Sequence, residues 1–379
     1  MIAAWMLGCI LCADVKAQIV VSANDAKVRL IDGVNTPVPG APPDTVTVID
    51  LRSGSPRIVA EIPVPNSIVG PPQNVAITPD ESLALVASST RLDPADGTKT
   101  VPDDKLTVID LRASPPAVLT ALRAGNGASG VAVNRAGSLA LVANRFEGTV
   151  SVFTIAGKSV TAAGKVEVGT PESLLSGVVF TRDGKTALVT RNNDSLISVL
   201  TVDGSKVENS KRDIAANLKP YGIDVTPSGD AAIVASIGVG ATGGADTLSV
   251  IDLTGSQPRT VNHVSVGPVA EGLSISPDGR YVAVTVMNGS NASPTSPFFH
   301  DYGWLRIYSL NKAALALVAQ TQIGRWCQGV AWSGDNRTVL AQCAVEREIR
   351  TFVFDGRRLA AGPRIKVNGG PSGIRTAER

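Results

Sequence analysis

The amino-acid sequence predicts an all-β fold, a seven-bladed β-propeller with four-stranded blades, and three observations carry this prediction. One phrase is written three times with little change: "VTVIDLRSGSPR" from Val46, "LTVIDLRASPP" from Leu106 and "LSVIDLTGSQPR" from Leu248. A second phrase recurs along the chain, for example "NVAITPDESLALVAS" from Asn74 and "GLSISPDGRYVAVTV" from Gly272. The 379 residues include 37 Gly and 24 Pro, which is typical of many short strands joined by turns.

The number of times the second phrase recurs indicates the number of blades. The apolar residue after its Gly or Asn recurs at intervals of 44 to 57 residues. Four short strands in about 45 residues is the size of one propeller blade. The marked positions, one for each of seven predicted blades, are Val75, Val131, Val178, Ile223, Leu273, Val330 and Ile374.

Each unit contains the same run of strands. An apolar strand, a short turn such as Ser276-Pro277-Asp278-Gly279 and a second apolar strand come first. A loop follows, then the "VIDL" phrase as the third strand, then a fourth strand. No segment between units has the length and 3.6-residue period of a helix, which argues against a parallel α/β sheet.

The two ends of the repeat region complete one another. The segment "QIVVSANDAKVRLID" from Gln18 has the pattern of a second strand without its first, and "GGPSGIRTAER" from Gly369 that of a first strand without its second. We therefore predict one domain, residues 18–379, whose ring is closed by pairing of the C-terminal strand with the N-terminal segment. Closure removes exposed sheet edges.

Residues 1–17 have the pattern of a signal peptide. An apolar run precedes Val15 and Ala17, which stand at the spacing of small residues that a signal peptidase accepts. We predict cleavage after Ala17, a periplasmic or secreted protein, and no transmembrane segment in the mature chain. A lipoprotein site at Cys9 fits less well, because little hydrophobic sequence precedes it.

Two cysteines remain after this cleavage. Cys327 and Cys343 flank a predicted hairpin, "CQGVAWSGDNRTVLAQC", which brings their sulfurs nearly opposite each other. In an exported protein this arrangement supports a disulfide. The alternative is a pair of small, buried apolar residues.

Several units resemble a known repeat family. The segments "LVANRFEGTVSVF" (Leu141 to Phe153), "LVTRNNDSLISVL" (Leu188 to Leu200) and "SPDGRYVAVTV" (Ser276 to Val286) resemble the YVTN-type β-propeller repeats of bacterial and archaeal exported and surface proteins. They are also similar to lactonase-like seven-bladed propellers. The resemblance implies the fold and permits a lactonase activity, but it includes no motif that performs chemistry.

A ring of polar residues is the first candidate site. The residue two before each mark is expected at the mouth of the axial channel, on the face where the long loops open. Glu271 is the only formal charge in this ring and the best candidate for a proton acceptor. The alternative is that a water-filled channel needs polar walls in any propeller. The ring consists of Gln73, Ser129, Ser176, Tyr221, Glu271, Gln328 and Ser372.

An aromatic loop and three arginines are further candidates. The stretch "SPTSPFFHDYGWL" from Ser293 holds Phe298, Phe299, His300, Tyr302 and Trp304, a composition that binds a ligand or partner, or caps the loop's own blade. On the same side, near strand ends, three guanidiniums are candidates for carboxylate binding or for solvation alone. These are Arg145, Arg191 and Arg325.

Other chemistries find little support in the sequence. The net charge of +2 disfavours nucleic acid. The glycine-rich "GVGATG" from Gly238 is not followed by a helix, and His263 has no other metal-binding residue at ligand spacing. We therefore predict no cofactor and no metal.

Three functions remain in competition. The first is a non-catalytic exported binding protein that presents its loops to a protein, an envelope polymer or a small polar ligand. The second is a lactonase-like hydrolase, with Glu271 activating water and Arg191 or Arg325 stabilising the oxyanion. The third is an accessory subunit of a periplasmic redox enzyme.

Overall fold

Seven four-stranded sheets form a ring, and one additional two-stranded hairpin lies outside them. The structure, a computed structural model, describes residues 18–52, 54–240 and 242–378. The fold is a seven-bladed β-propeller, as the sequence predicts. The predicted signal peptide, residues 1–17, lies outside the described residues.

The strands follow one another with a single 3-10 turn, Pro171–Ser173, among the described residues. The first half of the chain contains β1 (Ile19–Asp25), β2 (Val28–Ile31), β3 (Val34–Pro37), β4 (Thr45–Asp50), β5 (Arg57–Pro63), β6 (Val75–Ile77), β7 (Leu83–Leu92), β8 (Thr100–Asp110), β9 (Ala117–Arg123), β10 (Ala128–Val133), β11 (Leu139–Asn144), β12 (Thr149–Ala156), β13 (Ser159–Glu167), β14 (Leu175–Phe180) and β15 (Thr186–Arg191). The second half contains β16 (Leu196–Asp203), β17 (Lys206–Ala215), β18 (Pro220–Val225), β19 (Ala231–Ser236), β20 (Asp246–Asp252), β21 (Arg259–Gly267), β22 (Ala270–Ile275), β23 (Tyr281–Val286), β24 (Gly303–Asn311), β25 (Ala314–Ile323), β26 (Cys327–Trp332), β27 (Thr338–Cys343), β28 (Glu348–Phe354), β29 (Leu359–Lys366) and β30 (Gly370–Thr376).

The first blade is built from both ends of the described chain. Its strand order is β30-β1-β4-β5, and β1 pairs antiparallel with β30 from Val20 opposite Thr376 to Asp25 opposite Gly370. The predicted split blade is confirmed. Blades 2 to 7 follow in chain order, from β6–β9 to β26–β29. The repeated "VIDL" phrase is the third strand of blades 1, 2 and 5, as expected.

Each blade is apolar on both faces. Along β7, Leu85 packs in one cluster with Phe153 of blade 3, whereas the next residue, Val86, packs in another with Val46 of blade 1. Because successive side chains of a strand point to opposite faces, each sheet is covered by its two neighbours. A blade therefore depends on the ring for its stability.

Close approach between blades explains the glycine that precedes six of the seven marks. The inner strands carry a β-bulge at this point, as between Leu175 and Val178. A Cβ on Gly177 would lie 2.8 Å from the carbonyl oxygen of Tyr221 in the next blade. None of the six glycines has a positive φ, so contact alone excludes a side chain here.

Two of the long loops that follow the second strand of a blade contain strands of their own. Residues 89–104 mostly extend β7 and β8 into a long hairpin that pairs as far as Leu92 opposite Thr100. Residues 24–44 include the hairpin β2–β3. We call the face where these segments and the blade-to-blade connections open the loop face, and the opposite one the turn face. Among the described residues, no helix is long and apolar enough to cross a membrane.

Replacing one of the inner glycines is expected to destabilise the ring. A Cβ at residue 272 would overlap the carbonyl oxygen of Gln328, so we expect Gly272→Ala to cost about 3 kcal/mol of unfolding free energy. Gly255→Ala is the control, because its Cβ would find its nearest atom at 3.8 Å. Urea unfolding measures both variants, and equal midpoints would contradict the close-approach explanation.

Candidate functional site

The seven polar ring residues begin the inner strands at the loop-face end of the axis, and all seven are buried. Several are committed to structural contacts. Ser372 donates from Oγ to Oδ1 of Asn66 at 2.9 Å, and Ser176 Oγ donates to the carbonyl oxygen of Leu174 at 3.0 Å. For these members the polar wall is part of the scaffold.

Gln73 crosses the axis. Its Nε2 donates to the carbonyl oxygen of Ile223 at 2.6 Å, and the Ile223 amide donates back to Gln73 Oε1 at 3.0 Å. Gln73 precedes the inner strand of blade 2 and Ile223 belongs to that of blade 5, so one side chain ties together blades on opposite sides of the ring. This pair of hydrogen bonds obstructs the axial channel between the ring and the turn face.

Glu271 lies in the ring beside a buried cation. Arg145 donates from Nη1 to Ser176 Oγ at 2.5 Å, and its guanidinium lies 5.6 Å from the centroid of the Tyr221 ring. Glu271 is 6% exposed and makes no hydrogen bond or ion pair within the described part of the chain. Burial raises the pKa of Glu271 to about 8, against the opposing effect of Arg145. Burial thus favours the neutral form of the Glu271 carboxyl at neutral pH.

An apolar roof covers this ring on the loop face. Its centre is Ile68, from the connection between blades 1 and 2. Around it pack one residue of the β2–β3 hairpin and residues from the loops of blades 5, 6 and 7. The roof residues are Val28, Ile68, Val269, Met287, Trp326 and Ala344. The sequence predicts the mouth of the channel here, but all seven ring residues are buried, and the inserted hairpin and Ile68 add apolar side chains at this end of the ring.

A buried charged cluster holds the roof in place. Asp25 accepts hydrogen bonds from the amides of Val28 and Ile68, at 3.0 and 2.8 Å, and so joins the hairpin to the connection. Lys27 Nζ lies 3.1 Å from Asp25 and 2.8 Å from Asp44. Burial alone would lower the pKa of Lys27, but these two carboxylates raise it.

Arg191 and Arg325 are not brought to Glu271 as catalytic partners. Arg191 forms ion pairs with Asp194 at 2.5 Å and Asp213 at 3.0 Å. The Arg325 guanidinium lies 5.3 Å from the centroid of the Phe299 ring. The cation whose charge acts on Glu271 is Arg145, which the sequence suggested only as one of three carboxylate binders.

The aromatic loop is partly committed to its own blade. His300 and Tyr302 stack edge to face at 5.7 Å, as do Tyr302 and Trp304 at 5.3 Å. Trp304 also packs against the buried cluster between blades 5 and 6, while Phe298 stays exposed. Each interpretation from the sequence thus applies to one part of the loop. Trp304 caps the blade, and Phe298 faces outward.

Cys327 and Cys343 stand opposite each other on β26 and β27, with their sulfurs bonded. The bond closes the first hairpin of blade 7 at its loop-face end. Elsewhere in the described residues, no three His, Cys, Asp or Glu side chains come together as a metal site.

A second layer of axial residues was missed by the sequence reasoning. At the position after the mark, blades 5 and 1 carry the buried charged residues Asp224 and Arg375, and Asp224 lines the cavity on the axis. The other five blades carry Ala, Val or Ser there. The sequence could have indicated these two residues, because they are opposite charges at a repeat position where the other blades carry uncharged side chains.

Comparison with known proteins supports the fold. No family model matches the chain, and no curated protein matches it. A protein from Bacteroides uniformis, assigned provisionally as a 6-phosphogluconolactonase, superimposes with a TM-score of 0.73 at 16% identity over 95% of this chain and 99% of its own. The periplasmic gluconolactonase PpgL of Pseudomonas aeruginosa gives 0.68 at 15% identity, over 95% and 99%. Hydrazine synthase of Kuenenia stuttgartiensis gives 0.63 at 17%, over 82% and 91%.

These structures are similar to the chain in fold alone, since their identities are low. Its structural neighbours are thus seven-bladed propellers of the 6-phosphogluconolactonase-like type. The YVTN-type repeat label stays a prediction, because no family model matches.

Replacing Glu271 is expected to change how stability depends on pH. Because the folded pKa is raised from 4.5 to about 8, ionisation costs stability above pH 4.5, and the cost grows up to pH 8. Glu271→Gln removes this cost, so the variant should gain on the wild type with rising pH, by at most about 5 kcal/mol. Urea unfolding from pH 5 to 9 measures the difference, with the exposed Glu208→Gln as control. A constant difference across this range would contradict the buried acid.

Proposed function

We propose that the chain is a non-catalytic exported binding protein whose loop face docks onto a partner protein. The observation that carries the proposal is an exposed apolar patch on this face. It consists of Ile31, Val34, Val239 and Phe298, which are 51, 63, 63 and 44% exposed. We call these four residues the loop-face patch. Contiguous exposed apolar surface of this kind is typical of interaction sites.

Contacts between the loops connect the members of the patch. The Phe298 ring packs against Gly243, in the same blade 5 loop as Val239. Gly33, at the tip of the hairpin between Ile31 and Val34, packs against the backbone of Ala292 and Ser293 in the loop that carries Phe298. The patch therefore extends from blade 5 across blade 6 to the hairpin of blade 1.

The closed roof argues for a protein partner over a small polar ligand. Ile68 and the hairpin bury the polar ring, so the surface presented on this face is apolar, and an envelope polymer rich in hydroxyls would find few hydrogen-bond partners in the patch. Export rests on the signal pattern of residues 1–17, and the Cys327–Cys343 bond fits an oxidising compartment.

A lactonase-like hydrolase is the second candidate. It is favoured by the similarity of fold to gluconolactonases and by Glu271, a buried acid next to Arg145. In such an enzyme Glu271 would exchange the proton and Arg145 would stabilise the oxyanion. The substrate would first have to displace Ile68, and for this reason we rank the hydrolase second. For an accessory subunit of a redox enzyme, the similarity to hydrazine synthase is one of fold only.

Charged substitutions in the loop-face patch are expected to abolish partner capture. The test compares immobilised wild type with the triple variant Ile31→Asp, Val239→Asp, Phe298→Asp in cross-linking pull-downs from the native extract. A matched control carries Val118→Asp, Val261→Asp and Leu317→Asp, three residues of comparable exposure on outer strands. We expect one partner to be recovered by the wild type and the control and lost by the patch variant.

Two outcomes would count against docking through this face: recovery of the same partner by the patch variant, or its loss only in the outer-strand control. A lactone panel distinguishes the second candidate. Turnover by the wild type that Glu271→Gln abolishes would replace the binding proposal with the hydrolase.

A further inference from the structure

The accessible cavity on the axis opens on the turn face, opposite the loop-face patch. It has a volume of about 480 Å³ and lies among the lower ends of the inner strands and the short turns that follow them. Gln73 obstructs the axis between this cavity and the Glu271 ring. The cavity is therefore a separate site, and its argument does not depend on the proposed function.

Paired positive charges stand on one side of the cavity. Arg135 and Arg182 line it from the turns of blades 3 and 4. Burial, together with the charge of Arg135, lowers the pKa of Arg182, so the two guanidiniums are near enough to repel each other. Arg135 is exposed and forms no ion pair or hydrogen bond with any described residue. A bound anion would relieve this repulsion.

The inner end of the cavity contains a buried carboxylate that is already satisfied. Asp224 accepts hydrogen bonds from the amides of Val225 at 3.0 Å and Ile275 at 2.9 Å, one on each oxygen. Near it lies the buried Arg375, whose one hydrogen bond among the described residues is a long one, 3.4 Å, to the carbonyl oxygen of Leu273. The guanidinium of Arg375 adds positive charge at the inner end.

Three further carboxyl groups line the cavity, those of Glu81, Asp278 and Glu378. Asp278 is paired with Arg280 at 2.7 Å, and Glu81 accepts a hydrogen bond from the amide of Ile19 at 3.4 Å.

Glu378 makes the charge of the cavity depend on pH. Glu378 lines the cavity and is exposed to its solvent. The protein atoms around its carboxyl and the charge of Asp224 raise the pKa of Glu378 to about 7, against the opposing charges of Arg375 and Arg182. Below this pH Glu378 is neutral and does not offset the charge of the arginines. Above it, Glu378 opposes the entry of an anion.

The walls of the cavity include apolar side chains as well as charged ones. Phe180 lines it beside Arg182, and Trp332 lines it from blade 7. The Trp332 Nε1 is already used, since it donates to the carbonyl oxygen of Ser274 at 3.0 Å. Trp332 is only 1% exposed, so its ring presents a small apolar edge to the cavity.

We propose that this turn-face cavity binds a small organic acid, with its carboxylate held by Arg135 and Arg182 and its carbon skeleton against Phe180 and Trp332. Guanidiniums bind carboxylates with paired, charge-assisted hydrogen bonds. The volume fits a ligand of modest size, since small-molecule pockets commonly enclose about 300–1,000 Å³.

Calorimetric titration of the full chain tests the proposal with three probes: succinate, benzoate and inorganic sulfate, an anion without a carbon skeleton. We expect saturable binding of at least one organic acid. The double variant Arg135→Gln, Arg182→Gln should weaken it by at least about tenfold. Arg123→Gln with Arg259→Gln is the control, because it removes the same charge from exposed side chains elsewhere.

Further measurements keep the proposal open to refutation. Arg135→Gln alone changes only an exposed side chain, so it should fold normally and still weaken binding. Affinity should fall from pH 6 to pH 8 as Glu378 ionises. The proposal is overturned by the absence of saturable binding, by unchanged affinity in both arginine variants, by tighter binding at pH 8, or by sulfate binding as tightly as the organic acids.

Discussion

The carboxylate of Asp25 holds the loop-face end of the propeller axis closed. Its two oxygens accept hydrogen bonds from the amides of Val28 and Ile68, and the ammonium of Lys27 neutralises it in a buried setting. Two segments that are not part of any blade are thereby fixed over the channel. Breaking such a buried ion pair from one side leaves an uncompensated charge, so the arrangement is firmly held. With the hairpin and the connection fixed in this way, Glu271 is buried and Ile31 is exposed on the hairpin. The cavity on the axis opens on the turn face instead.

The closed end divides the molecule into two functional faces. On the loop face, apolar side chains that the hairpin and the loops of blades 5 and 6 carry are left without a neighbour, as on a protein-binding surface. On the turn face, the cavity keeps charged groups around a polar opening. Between them, Gln73 reaches across the axis to blade 5, and Arg375 of blade 1 contacts blade 6, two positions away in the ring. The pairing of β1 with β30 closes the ring, and the axial contacts add hydrogen bonds between its inner strands, so both faces are carried by one ring of blades.

The fold could be predicted from the sequence almost completely, because the same pattern of four strands recurs in each repeat and can be recognised by comparing the repeats. The repeat mark located the inner strands, and the residue two before it located the buried ring. Accessibility could not be predicted in the same way. The hydrogen bond from Ile68 to Asp25 joins positions outside the repeat pattern, and nothing in the local sequence signals it. Arg191 was a candidate for carboxylate binding or for solvation alone, whereas the structure pairs it with Asp194 and with Asp213. Asp213 lies on β17, which is separated from β15 by β16, so only the folded sheet brings it near Arg191.

Hydrogen exchange at the amide of Ile68 tests most directly whether the loop-face end is closed. In the structure this amide donates to the buried carboxylate of Asp25. We expect it, together with the amide of Val28, to exchange as slowly as amides of the inner strands such as Ile223. The exposed loop of residues 242–245 provides the fast reference. Exchange at Ile68 as fast as in that loop would mean that the roof opens readily, and would contradict the division of the molecule into a sealed face and an open one.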